Sequence, residues 1–248
     1  MSEDGLTHTY KLRKDVKWTN GDPVTAHDFV YAWQLIFRKK GSYYYMFADG
    51  IASIEGAQEL SDKIGAGEEL TDDDLNSMGV KAIDDYTLEV KTTVRVSFLD
   101  ELLTFPPFYP INEKFAEKQG NKYGKSAKAI LGNGAFIMTN WEPGSIAEFK
   151  KNEDYYEAKT VKIEKLVMKL VQDPKVAAQS FMAGETDYAP INSDLVDKYK
   201  DDEAFKQVYD GFLFYISVNF QNSDLANLNV RKAISPVSYT HLRAHETR

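Results

Sequence analysis

The sequence contains few of the residue patterns that carry out catalysis. It has no cysteine, and the Gly-x-Ser-x-Gly, His-Glu-x-x-His and Gly-x-x-x-x-Gly-Lys motifs of serine hydrolases, zinc peptidases and phosphate-binding loops do not occur. Paired carboxylates are plentiful because the chain has 38 acidic residues, so their spacing alone does not indicate a glycosidase. These patterns argue against a hydrolytic enzyme.

Two clusters have residue types that could bind a metal. The first is an acidic run, made of Glu68, Glu69, Asp72, Asp73 and Asp74. A calcium loop beginning at Asp72 would need glycine at its sixth position and glutamate at its twelfth, where the chain has Ser77 and Ile83. The second is His241 and His245, an i,i+4 pair with no further ligand beside it. We interpret the acidic run as solvated surface and predict neither a metal nor another cofactor.

Three consecutive tyrosines, Tyr43, Tyr44 and Tyr45, begin a dense aromatic stretch that continues through Met46 to Phe47. Tyrosine combines an apolar ring with a polar hydroxyl, so it is typical both of the edge of a core and of surfaces that contact ligands. The sequence leaves two interpretations open: a buried connector with its hydroxyls at the edge, or a contact surface.

The elements that position these tyrosines begin with a strand and a turn. His8, Tyr10 and Leu12 alternate with polar residues, which predicts a strand with one buried face. Asn20-Gly21 follows a second short apolar run and tolerates the positive backbone angles of a tight turn.

A helix is predicted to follow this turn. Thr25 and Asp28 have the spacing of a capping box, in which each side chain satisfies a backbone amide of the other residue. Helical spacing then relates the apolar residues Phe29, Val30, Trp33, Ile36 and Phe37. Such a stripe needs another layer of structure to bury it.

The spacing of the apolar residues and the positions of turn-forming residues predict further strands and helices. We predict strands over residues 80–83, 87–91, 135–138, 146–150, 163–170 and 212–219, and helices over residues 57–64, 98–105, 113–119 and 174–182. The first two strands are predicted to form a hairpin with its turn at Asp84-Asp85, and the next two a hairpin with its turn at residues 142–145.

Composition and charge narrow the class of protein. The chain of 248 residues is 43% hydrophobic and 27% charged, which is ordinary for a globular protein. Its net charge of -8 argues against a nucleic-acid partner, which usually requires a basic surface. No stretch is apolar for long enough to predict a membrane helix, and residues 1–6 contain no secretory signal.

Several motifs in register carry a family resemblance. They are LRKDVKW at 12–18, NGDPVTA at 20–26, DFVYAW at 28–33, VKAIDDYTLEV at 80–90, NGAF at 133–136, GETD at 184–187 and NVRKAIS at 229–235. Together they resemble the family 5 peptide-binding receptors of ABC importers, and are most similar to the oligopeptide-binding proteins.

The resemblance implies a mixed α/β chain, an incomplete two-lobed periplasmic-binding-protein fold of type II with the extra small domain, the second lobe missing. It divides the chain into the small domain with the edge of lobe 1 (1–110), part of lobe 1 (111–211), and the hinge crossing with the start of lobe 2 (212–235). Residues 236–248 resemble a translated sequencing-adapter tail, which we expect to be non-native.

The resemblance implies a receptor that captures oligopeptides between two lobes and delivers them to a membrane permease and its ATPase. The full protein is expected to be a monomer outside the cytoplasmic membrane, periplasmic or lipid-anchored, with an export signal upstream. Residues 1–235 alone are expected to bind peptides poorly. The alternatives are a peptide pheromone sensor and a relative that carries nickel, haem or sugars.

The resemblance also predicts the residues that contact the peptide. They are Tyr43, Tyr44, Phe105, Asn192, Phe212 and Tyr215, with Tyr43 preferred over Tyr44. Each has a structural alternative. Asn192 could instead cap a helix beside Ser193, since asparagine is a common capping residue, and Phe212 and Tyr215 could belong to a core strand.

Overall fold

A computed structural model describes residues 1–208 and 216–242 of the chain, with the side chains described as far as residue 235. The chain divides into two compact units, Met1–Lys169 and Leu170–Arg248. Strands and helices are mixed in the first unit, which agrees with the predicted fold class.

The first unit contains two antiparallel sheets and several short helices. In chain order its elements are β1 (Thr7–Lys11), α1 (Ala26–Arg38), α2 (Ala57–Gly65), α3 (Asp72–Asn76), β2 (Val80–Asp84), β3 (Thr87–Lys91), α4 (Leu99–Leu102), α5 (Glu113–Gln119), β4 (Phe136–Glu142), β5 (Ile146–Lys151) and β6 (Lys165–Lys169). Short 3₁₀ turns at Tyr44–Phe47 and Pro106–Phe108 lie between them.

The first sheet has the strand order β1-β3-β2. β1 pairs with β3 so that His8 faces Val90 and Tyr10 faces Leu88. β2 and β3 form the predicted hairpin, with an irregular register between Ala82 and Asp84. The apolar and polar pattern therefore predicted these strands correctly, and Asp84-Asp85 predicted the hairpin between β2 and β3.

α1 begins at the predicted capping box. The backbone N–H of Thr25 donates to Asp28 Oδ2 over 2.7 Å, and the buried Asp28 also accepts a hydrogen bond of 3.1 Å from Trp18 Nε1. One carboxylate thus starts the helix and satisfies a buried indole, which joins the preceding turn to α1. Trp33 and Phe37 are fully buried.

The core of the first unit lies between α1, the first sheet and the two 3₁₀ turns. Phe47 from one turn and Phe108 from the other are buried with their ring centroids 4.4 Å apart. Trp33 packs edge-on against both rings, and its Nε1 donates to the Phe108 carbonyl over 3.0 Å. This aromatic cluster holds the two turns together.

The second sheet has the order β4-β5-β6. β4 and β5 form the predicted hairpin, whose turn places Gly144 at a φ of +79°. The strand predicted over 163–170 is present as the shorter β6.

One sequence prediction in the first unit needs correction. The helix predicted over 98–105 is only the single turn of α4, because Phe105 precedes a proline and takes an extended conformation.

The acidic run lies at the surface, as predicted, with Glu68, Glu69, Asp72 and Asp73 exposed. Part of it forms α3, and ion pairs join Arg38 to Asp72 (2.8 Å), Lys40 to Glu69 (3.1 Å) and Lys63 to Asp74.

The second unit contains α6 (Pro174–Met182), α7 (Ser193–Tyr199), α8 (Ser223–Ala226) and α9 (Leu228–Leu242). α6 starts at Pro174, as predicted, with the backbone N–H of Lys175 donating to the Asp173 side chain over 2.8 Å. It is followed by Gly184 at a φ of +74°. None of the described helices is long and apolar enough to cross a membrane.

The strand predicted over 212–219 is not supported where the structure describes it. Residues 212–215 lie outside the described residues, and residues 216–219 are not in a strand. A segment with alternating apolar and polar residues forms a strand only where another strand pairs with it. Residues 216–219 pair with none of the described strands. The helical backbone of α9 also continues past Ser235 and Pro236 to Leu242.

Candidate functional site

Three exposed aromatic rings meet on the surface of the first unit. Tyr43 is 49% exposed, Tyr45 51% and Phe105 41%. The Tyr43 ring centroid lies 6.3 Å from that of Phe105, edge to face, and 6.4 Å from that of Tyr45. We call Tyr43, Tyr45 and Phe105 the aromatic patch.

The 3₁₀ turn at Tyr44–Phe47 presents two of these rings. The chain leaves α1 through Lys40, which has a positive φ of +50°, and Gly41, whose N–H donates to the Ile36 carbonyl over 2.9 Å. Phe47 then enters the core. The turn is therefore anchored at one end by α1 and at the other by a buried ring.

The second 3₁₀ turn presents the third ring. Phe105 directly precedes Pro106–Phe108, and Phe108 is buried in the same aromatic cluster as Phe47. The Tyr109 hydroxyl donates to the Thr104 carbonyl over 2.7 Å, which closes this loop on itself. The two loops that carry the patch thus share one core contact.

The middle tyrosine has a different environment from its neighbours. Tyr44 is half-buried, and its ring centroid lies 5.9 Å from that of Phe37 on α1. Sequence reasoning placed Tyr44 second and did not select Tyr45, which contacts Tyr43 on the exposed side. The only available signal was the run of three tyrosines, because the direction of each ring depends on the turn.

A hydrogen bond connects β1 to the helix before Phe105. The Tyr10 hydroxyl donates to Asp100 Oδ1 over 2.8 Å. Partial burial of the phenol, and then this hydrogen bond to the carboxylate, raise the pKa of Tyr10 well above its usual value. Tyr10 therefore serves as a neutral donor that ties α4 to the first sheet.

The remaining predicted site residues are Asn192, Phe212 and Tyr215. Asn192 is exposed in the second unit at the N-terminal capping position of α7, and its Nδ2 lies 3.5 Å from Asp194 Oδ2. Asn192 thus occupies the capping position that the structural alternative predicted, but its side chain makes no capping hydrogen bond to the helix. Phe212 and Tyr215 lie outside the described residues.

Comparisons of the sequence and of the structure with known proteins agree on one family. The model for bacterial extracellular solute-binding proteins, family 5 (middle region), matches residues 1–236. The oligopeptide-binding protein OppA of Bacillus subtilis is 32% identical over 240 residues, a match that covers 94% of this chain and 42% of that protein. The chain therefore spans about two fifths of the length of that relative.

Solved structures show the same fold. The pheromone receptor PrgZ superposes with a TM-score of 0.80 at 29% identity, over 94% of this chain and 45% of that one. OppA of Haemophilus influenzae, in complex with RPPGFSPFR, gives a TM-score of 0.76 at 27% identity, over 97% of this chain and 47% of that one. With the family model matching nearly the whole sequence, the chain belongs to the family 5 bacterial extracellular solute-binding proteins.

Proposed function

We propose that this chain forms part of a receptor that captures oligopeptides outside the cytoplasmic membrane and delivers them to an ABC importer. The observation that carries the proposal is the exposed contact between Tyr43 and Phe105 in a chain of this family. Exposed aromatic rings in mutual contact are typical of recognition surfaces. The names of the relatives support a peptide ligand.

In this proposal the residues have distinct roles. Tyr43 and Phe105 contact the peptide, and Tyr44 supports them by packing against Phe37. Asn192 offers an exposed amide that suits a peptide backbone. Phe212 and Tyr215 remain predicted members of the site.

The mode of binding follows from the breadth of ligands that such a receptor serves. Side-chain fit alone cannot hold many different peptides, so we expect the peptide backbone to be bound as an extended strand, with water filling the side-chain pockets. No bond is made or broken, so the protein is a binding protein rather than an enzyme.

The partners and compartment are part of the same proposal. The receptor acts as a monomer in the periplasm or lipid-anchored at the cell surface, and docks on a permease with its ATPase. Closure of two lobes around the peptide is the expected hinge motion that signals to the permease.

Titration calorimetry tests the proposal directly. The protein, as its complete gene encodes it, is titrated with RPPGFSPFR, the peptide held by the Haemophilus relative. Tyr43→Ala should weaken binding about tenfold because an exposed aromatic anchor is lost. Tyr43→Phe keeps the ring and serves as the control, with thermal unfolding of both variants confirming that they fold. Unchanged affinity in Tyr43→Ala would assign Tyr43 to structural support instead.

A pheromone sensor is a second candidate function. The superposition on the pheromone receptor PrgZ favours it, since that likeness extends over 94% of this chain. A sensor should discriminate strongly in favour of one peptide, whereas an importer receptor should bind many with similar affinity. Calorimetry against a panel of unrelated peptides distinguishes the two.

A further inference from the structure

The aromatic patch has the properties of a site that selects side chains, in addition to contacting a peptide. Each of its three residues is between 41% and 51% exposed, and the Tyr43 ring contacts the other two rings. Single exposed aromatic residues are common on protein surfaces, but rings in contact form a continuous apolar surface.

The patch is held in place before any ligand binds. Both loops that carry it are anchored by Phe47 and Phe108, which are buried and in ring contact with Trp33. The hydrogen bond from Trp33 to the Phe108 carbonyl fixes the second loop further. A ligand therefore meets rings whose conformational freedom is already reduced, which lowers the entropic cost of binding.

The loops that form the patch carry no acidic or basic side chain. Residues 41–48 read GSYYYMFA and residues 102–112 read LLTFPPFYPIN. A charged or strongly polar ligand group placed on these rings would lose water and gain no ionic partner from the two loops. An aromatic group would instead bury apolar surface and form edge-to-face or offset ring contacts.

From these observations we propose that the aromatic patch is a subsite that accepts an aromatic side chain of a bound peptide, with Tyr45 as a specificity-determining residue beside Tyr43. The proposal rests on the proposed function, because it requires a peptide ligand. It predicts that peptides with an aromatic side chain at this subsite bind more tightly than those with an aliphatic one, and those more tightly than neutral polar ones.

The test uses three matched peptides and the protein as its complete gene encodes it. The peptides are RPPGFSPFR and two versions in which both phenylalanines become leucine or glutamine. Glutamine is chosen over glutamate so that the net charge of -8 on the chain does not influence the comparison. We expect the phenylalanine peptide to bind about tenfold more tightly than the glutamine peptide.

Tyr45→Ala should reduce the preference for the phenylalanine peptide over the glutamine peptide to about twofold. Tyr45→Phe should keep the preference, and Ile83→Ala, which shortens an exposed apolar residue on β2, should leave it intact. Thermal unfolding of each variant confirms that it folds.

The possible outcomes separate the two proposals. Equal binding of the three peptides overturns the subsite and leaves peptide capture standing. If Tyr45→Ala keeps the full preference for the phenylalanine peptide, Tyr45 does not determine specificity. Absence of binding by all three peptides and by a panel of unrelated peptides overturns peptide capture and the subsite together.

Discussion

At the scale of single residues, two carboxylates of the first unit have partners outside their own helix. Asp74 on α3 receives a hydrogen bond from Lys63 on α2, in addition to those from the Thr71 backbone and hydroxyl. Asp28 similarly combines a local helix cap with the indole of Trp18. These carboxylates connect elements as well as capping helices.

The Asp74 carboxylate should contribute to acid sensitivity. The hydrogen bond from Lys63, then those from Thr71, lower the pKa of Asp74 from its ordinary 3.8 to about 2. Because the pKa is lower in the folded chain, Asp74 stabilises the fold above its ordinary pKa, and this contribution is lost as the pH falls towards 2. Asp74→Asn should therefore show a smaller change in urea midpoint between about pH 7 and about pH 2 than the wild type.

Asp73→Asn, in the same helix, is the matched control for that measurement and should behave like the wild type. If the midpoint of Asp74→Asn changes with pH as much as that of the wild type, the ion pair with Lys63 makes no pH-dependent contribution.

At the scale of elements, α1 organises the first unit through its buried face. Trp33 contacts both 3₁₀ turns, and Phe37 contacts the ring of Tyr44. The helix thus links the core of the unit to the loops that carry the aromatic patch. A substitution on the buried face of α1 should therefore also affect the loops that carry the aromatic patch.

Trp33→Phe should show this link. The change removes the donor to the Phe108 carbonyl and leaves a buried acceptor without its partner, at a cost of about 2 kcal/mol in the free energy of unfolding. Peptide affinity should fall as well, because the loop that presents Phe105 loses its anchor. Urea unfolding and calorimetry measure the two effects.

The control is Trp141→Phe on β4, a half-buried tryptophan in the other sheet. It should lower stability less than Trp33→Phe and leave affinity unchanged. Equal effects of the two variants would show that loss of indole volume, and not the hydrogen bond to Phe108, is responsible.

At the scale of the whole molecule, the first unit contains a hydrophobic core of its own. The buried cluster extends from Ala26 to Phe108 within Met1–Lys169. All three tryptophans of the chain, Trp18, Trp33 and Trp141, also lie in this unit. A unit with its own core is expected to fold by itself.

Residues 1–169 expressed alone should therefore unfold cooperatively in urea. Tryptophan fluorescence should report a single sigmoidal transition, with a midpoint close to that of the same signal in the whole chain. A gradual change without a transition would show that residues beyond Lys169 are needed to complete the fold of the first unit.

The sequence by itself determined the family and most of the local elements. The capping box at Thr25, the β2-β3 hairpin and the start of α6 at Pro174 were all predicted correctly. Each depends on residues within a few positions of one another, so the physical cause is present in the local sequence. The motifs behind the family resemblance are equally local.

Only the tertiary structure decided which of these residues could act together. It placed Tyr43 beside Phe105 and Tyr45, turned Tyr44 towards Phe37, and paired the acidic run with lysine and arginine from other helices. The contacts of Tyr43 with Phe105 and of Arg38 with Asp72 join residues far apart in the chain. The others are closer in sequence, but their geometry also depends on how α1 and the two 3₁₀ turns pack. Local period and composition carry no information about that packing, because they do not specify which distant residues come into contact.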